Sequence, residues 1–326
     1  MVDFDGNFAL NYALPLAQAA YNEPWNSAND PTLATFTQVQ ELFVDAPGPA
    51  LMARAQARKE DTSMLRSMLR PAGTGTPPTA ADAIHAETGI PAERLDRKAR
   101  PQPFVITPTT PIDKRFGWVC RDKQRLIVAF RGTQTVGDWL HDFDFIAAPY
   151  QPIPGKATVH QGFQTVYYAV RDNLLKHVKD NSSGVTELFV TGHSLGAALA
   201  VLAMPDLLNY MNADLGLHVS PTLFNFAGPR AGHRDFENLF NSAVNVCWRV
   251  VNVWDIVPGV PPVLAGYVHV GNQLTIDSGF SFDVAHNHQL ATGHLPGLTE
   301  WVEQHPAIHS KLLGTHVPAM LAGVSD

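Results

Sequence analysis

Five consecutive residues of this 326-residue chain have the spacing of a nucleophile turn: Gly192-His193-Ser194-Leu195-Gly196, a G-x-S-x-G pattern. Composition alone yields such a pattern in roughly one chain in ten of this length, so the surroundings decide what it means. Leu188, Phe189 and Val190 precede it as an apolar strand, and the small-residue run GAALAVLAM follows it as a helix. A strand–turn–helix setting of this kind holds a serine out on a sharp turn. Glycines two residues to either side keep the crowded turn clear. The helix start aims backbone N–H groups at the place where an oxyanion would develop. Ser194 is therefore the candidate nucleophile of an acyl transfer. His193, inside the motif, is expected to point away from the site and pack.

A serine hydroxyl needs a base, and the base needs an acid to orient it. In this setting the chain order is serine, acid, histidine. Asp255 ends the strand-like run WRVVNVWD and enters the Pro-rich IVPGVPP, which suits a loop at a strand end. Asp277 and Asp283 compete with it. His269, His286, His288, His294, His305 and His309 all follow in order. His269 lies in a strand pattern and reads as structural. His286, His288 and His294 lie where a loop enters a helix, which is a better platform for a base. His160 and Gly162 of VHQGF read as scaffold, and Arg131 and Arg230 as hydrogen-bonders in strand-end turns.

These residues need a frame to bring them together. Ala9–Tyr21 carries apolar residues at helical spacing, and Phe36–Val44 is a second amphipathic piece. From Phe104 onward strands and helices alternate. PFVIT, FGWVC, RLIVAFRG, ELFVT, LFNFAG, VCWRVVNV and YVHVGNQLTI read as strands, with DKQ as a turn. Gly162–Val178, Gly196–Tyr210 and Arg234–Phe240 read as helices. The alternation predicts an α/β fold with a mostly parallel central sheet and helices on both faces. We expect a single domain over 1–326, with 104–305 as catalytic core and 45–103 as an insertion or cap. Within that insertion Leu51–Arg70 is basic and amphipathic (Arg54, Arg58, Lys59, Arg66, Arg70). A solvated basic face on a packed helix is the expectation, and a lipid-surface helix the alternative.

Composition narrows the classes. At 45% hydrophobic and 16% charged the chain is globular, and its net charge of −7 offers no basic face for nucleic acid. The two cysteines, Cys120 and Cys247, sit in apolar runs and read as buried thiols. No His/Cys/Asp group has metal-ligand spacing, so no metal and no cofactor are expected. The acidic N-terminus lacks a signal-peptide pattern and no apolar run has spanning length. The expectation is a cytoplasmic protein or one exported by a leaderless route.

Six runs together resemble one family. VAFRGTQTVGDWLHDFDF, VHQGF, VTGHSLGAALA, FNFAGPRAG, RVVNVWDIVPGVPP and YVHVG occur in the order seen in the class 3 lipases, the filamentous-fungal triacylglycerol lipases with their plant and bacterial relatives. The resemblance covers about Leu126 to Leu298. It implies an α/β-hydrolase fold and a Ser-His-Asp triad in which Ser194 is nucleophile and Asp255 the acid. It also implies an oxyanion hole from Thr133 and the Leu195 N–H, and a lid from Gln134 to about Asp144 in which Trp139 and Leu140 meet acyl chains or lipid. For the base it favours His288 in NHQL, with His286 as the alternative because AHN resembles the plant relatives. The implied activity is hydrolysis of acylglycerol esters at an oil–water or membrane interface. Phospholipase A1 or soluble-ester esterase is the alternative, and a lipid-binding hydrolase fold without turnover the non-enzymatic one. The chain departs from the pattern in lacking the fungal disulfides, in carrying the 45–103 insertion, and in its short stretch from Asp255 to the histidine.

Overall fold

Strand runs too apolar to face water on either side dictate the centre of the molecule. RLIVAF (β3, Arg125–Phe130) is buried at every residue after the first, and ELFVTGH (β6, Glu187–His193) likewise. Each fully buried Val, Leu, Ile or Phe contributes about 1.5–3 kcal/mol relative to exposure, which only a strand covered on both faces collects. The computed structural model describes residues 4–21, 36–43, 115–132, 145–155 and 157–305. Expectations for 45–103, PFVIT, Thr133, the lid segment with Trp139 and Leu140, and His309 lie outside these residues.

The remaining strands are β1 (Thr37–Phe43), β2 (Arg115–Asp122), β4 (Ala147–Pro149), β5 (Thr158–His160), β7 (Ser220–Phe226), β8 (Gly232–His233), β9 (Val246–Asn252), β10 (Tyr267–Val268) and β11 (Asn272–Ile276). Five of these join β3 and β6 in the seven-stranded main sheet, in the order β1-β2-β3-β6-β7-β9-β11. The pairs β3–β6, β6–β7, β7–β9 and β9–β11 are parallel, while β1 and β2 add antiparallel at one edge. A four-stranded antiparallel sheet, β10-β8-β5-β4, stands beside it.

Helices α3 (Gln161–Asp180), α4 (Leu195–Ala213) and α5 (Arg234–Ala243) cover one face, and their apolar residues join one core cluster. The other face is covered by an N-terminal helical segment, α1 (Gly6–Phe8) continuing through a wide turn at Ala9–Ala13 into α2 (Leu14–Ala19), and by α7 (Leu295–Gln304). Phe8, Tyr12 and Phe36 lie in that second core with Phe189, Phe224 and Phe226 of the sheet. A mostly parallel sheet with helices on both faces is the α/β-hydrolase architecture. Buried Asp206 of α4 fastens the helical layer: it accepts the Tyr167 hydroxyl at 2.6 Å and a two-pronged pair from Arg171 at 2.6 and 2.8 Å. Two-pronged guanidinium–carboxylate pairs are the strong kind.

The amphipathic piece around Phe36–Val44 is an edge strand, β1, paired to β2. One sequence expectation needs correction. YVHVGNQLTI is not one strand: β10 and β11 belong to different sheets. The break falls at Gly271 (φ +62°), where a Cβ would come within 2.4 Å of the Cys247 sulfur, so the chain turns there past a buried thiol. No helix among the described residues is long and apolar enough to cross a membrane.

Candidate active site

The serine turn is built by crowding. Ser194 sits between β6 and α4 with φ 59° and ψ −130°, a conformation that costs a residue with a side chain about 1–3 kcal/mol. A Cβ on Gly192 would lie 2.3 Å from the Gly196 carbonyl oxygen, and one on Gly196 would lie 2.4 Å from that of Phe130. Both positions therefore exclude any side chain. The Ser194 N–H is held by the Phe226 carbonyl at 3.0 Å. Leu195 opens the 19-residue α4, so its N–H is among those left free by helix geometry at the end that favours negative charge.

Asp255 follows β9 and His288 ends the short helix α6 (Val284–His288). The His288 Nδ1 lies 2.9 and 3.0 Å from the two Asp255 oxygens, and both side chains are fully buried. Asp255 also accepts the Val257 N–H at 3.0 Å. A carboxylate can only accept from Nδ1, so the ring keeps Nε2 as its basic nitrogen. Asn252, three residues before Asp255, donates its amide to the Asn287 carbonyl at 2.9 Å and so ties the acid loop to the histidine helix. Ser194 Oγ and His288 Nε2 are both buried, and neither has a hydrogen-bond partner among the described residues.

Three histidine rings cluster at this turn. The His193 ring centre is 4.6 Å from that of His288 and 6.0 Å from that of His294. His193 Nδ1 meets the Tyr21 hydroxyl at 2.7 Å and its Nε2 meets the His288 carbonyl at 2.8 Å. Burial, then the neighbouring His288 and His294, hold the His193 ring well below the usual histidine range. Burial also pushes His294 down to about 4. Tyr21 reaches Gly132 as well, accepting its N–H at 3.2 Å.

The other sequence candidates are placed elsewhere. Asp277 accepts the Trp254 indole and the Gly279 N–H, and Asp283 caps α6 through Ala285. His269 bonds the Pro258 carbonyl, and His305 stacks on Trp301. His286 is exposed, two residues from His288 but on the outer side of the turn. His160 caps α3, Arg230 bonds the Gly259 and Pro261 carbonyls, and both cysteines are buried and free. Sequence reasoning missed Tyr21, which it read only as the last apolar position of the first helix, and the exposed aromatic row Trp254, Phe280 and Phe282. In that row successive rings meet edge to face at 4.9 and 4.8 Å. Among the described residues no group of acids, histidines and cysteines is arranged to hold a metal.

The chain is similar to known proteins over part of its length. The family model described as Lipase (class 3) matches residues 127–265. The chain is 35% identical over 182 residues to a lipase of Rhizopus niveus, which covers 55% of this chain and 46% of that protein. It is 33% identical over 189 residues to phospholipase A1-II 7 of Oryza sativa subsp. indica, covering 49% of this chain and 46% of the relative. Lipase II of Rhizopus niveus superposes with a TM-score of 0.45 at 25% identity, over 74% of this chain and 84% of that one. The chain spans less than half the length of the curated relatives it matches. Residues 127–265, the segment that the class 3 lipase model matches, carry the serine turn and Asp255.

Proposed function

We propose that the protein is a serine carboxylester hydrolase, a lipase that cleaves acylglycerol esters. The observation that carries this reading is the buried Asp255–His288 pair, which leaves Nε2 as base and whose imidazole lies 4.6 Å from the His193 ring of a strained serine turn, the Ser194 hydroxyl having no partner among the described residues. His288 takes the proton of Ser194 as Oγ attacks the ester carbonyl. Asp255 fixes the ring and stabilises the imidazolium. The N–H of Leu195 receives the oxyanion with Thr133, the latter role resting on the family resemblance. Losing one such donor typically costs about 10²–10³ in rate. The protonated His288 then releases the alcohol, and water attacks the acyl-enzyme by the same route in reverse.

Lipid as substrate is supported by the rim. Trp254 adjoins Asp255, and Phe280 and Phe282 lead into the His288 helix. All three are exposed, Phe282 at 91%, and Leu264 beyond the acid loop is fully exposed. Large apolar side chains grouped in this way mark contact with an apolar phase. A second reading, phospholipase A1, rests on the similarity to the rice enzyme. A p-nitrophenyl ester series from acetate to palmitate, with emulsified triacylglycerol and phospholipid beside it, separates these. The lipase reading predicts a rise in rate when tributyrin passes its solubility limit and turnover of triacylglycerol above phospholipid. Activity confined to short monomeric esters would refute it.

A further inference from the structure

Tyr21 and Gly132 are 111 residues apart, yet one line of hydrogen bonds runs from Gly132 through Tyr21 and His193 to His288. The direction of every proton in it is fixed. The His288 carbonyl only accepts, so the His193 Nε2 at 2.8 Å carries its proton. The ring is buried and held neutral, so Nδ1 has a lone pair and accepts from the Tyr21 hydroxyl at 2.7 Å. The Tyr21 oxygen, having donated, accepts the Gly132 N–H at 3.2 Å.

The ends of the line matter most. Gly132 immediately precedes Thr133, and its backbone presses on the nucleophile: a Cβ there would lie 2.5 Å from the Tyr21 oxygen and 3.0 Å from the Ser194 Cβ. The other end is the backbone of the residue whose ring faces Asp255. We propose that Tyr21 and His193 are positioning residues that lock the oxyanion turn and the base loop to one another across the serine elbow. This rests on the hydrolase reading above. Packing alone would need neither the hydroxyl nor a particular tautomer. A tyrosine from the N-terminal segment thereby becomes part of the support of a site whose reacting groups lie between residues 132 and 288.

Tyr21→Phe removes only the hydroxyl. Tyr12→Phe is its control, since Tyr12 lies on the same segment, is buried, and donates to Asp122 at 2.9 Å away from the serine. On p-nitrophenyl butyrate, Tyr21→Phe should lower kcat about tenfold, about 1.4 kcal/mol of barrier, with KM within about twofold. Tyr12→Phe should lose stability and keep kcat. An unchanged kcat in Tyr21→Phe overturns the proposal, as does an equal fall in Tyr12→Phe, which would mean general loosening. The second measurement needs no variant to fold: ¹⁵N imidazole shifts of the wild-type protein should show His193 in the Nε2–H form, and the Nδ1–H form overturns the relay. Wild-type protein inert toward every ester would strike the hydrolase reading, and the positioning role with it. An active wild type with an indifferent Tyr21→Phe strikes the relay alone.

Discussion

His294→Phe should make the fold less sensitive to acid. The His294 ring is wholly buried, edge-on to Phe226 at 6.2 Å. Neither ring nitrogen has a hydrogen bond of normal geometry among the described residues. Burial first, and the neighbouring His288 next among the lowering causes, bring its folded pKa down to about 4, against about 6.5 in an unfolded chain. Above pH 6.5 the ring is neutral in both states and adds no slope. As the pH falls from 6.5 toward 4 the unfolded chain binds a proton that the folded protein refuses, so stability is lost. At pH 5 the loss from this one ring is about 2 kcal/mol relative to pH 8, a large part of the ~5–15 kcal/mol that ordinary domains possess. His193 pulls in the same direction. Phenylalanine removes the titrating group and leaves no polar atom to satisfy, so its cost at pH 8 is small. Urea unfolding of both proteins at pH 5, 6, 7 and 8 reads the difference. The stability curves should converge or cross as the pH falls, with the variant losing about 2 kcal/mol less between pH 8 and pH 5. Parallel curves would refute the claim that a neutral buried His294 opposes folding in acid.

Two further outcomes follow from contacts already given. Gly192→Ala places a methyl group 2.3 Å from the Gly196 carbonyl oxygen; soluble yield and ester hydrolysis should both collapse, and a variant with wild-type kcat would show that the elbow is looser than this. Asp206→Ala leaves Arg171 and the Tyr167 hydroxyl without their shared partner. Unfolding stability should fall by about 3 kcal/mol, as for broken buried ion pairs, with KM unchanged, and a thermal midpoint equal to wild type would contradict the role assigned to that cluster.

The periodic parts of the chain were the legible ones. β3, β6, β7 and β9 announce themselves as short apolar runs, and α3 and α4 by helical spacing, because burial on a sheet leaves a pattern in consecutive residues. Ser194 was legible for the same reason: its neighbours in space are also its neighbours in sequence. Phe36–Val44 reads only as amphipathic because an edge strand with one covered face and a short amphipathic helix leave similar traces. The break at Gly271 depends on a contact with Cys247, 24 residues earlier, which no local period records. The choice between His286 and His288 was open for a similar reason. Both lie in one short helix, and only the fold turns one ring toward Asp255 and the other to solvent. Tyr21 lay beyond reach, since nothing local ties a helix-end tyrosine to a histidine 172 residues away.

The central claim is that Ser194 is a nucleophile activated by His288, and covalent labelling tests it most directly. Incubation with a p-nitrophenyl phosphonate followed by peptide mass spectrometry should place one adduct on Ser194 in the wild-type protein and none in Ser194→Ala. His288→Ala should slow the labelling by about three orders of magnitude or more, while His286→Ala should label at the wild-type rate. An adduct retained in Ser194→Ala, or full-rate labelling of His288→Ala with His286→Ala inert, would contradict the account.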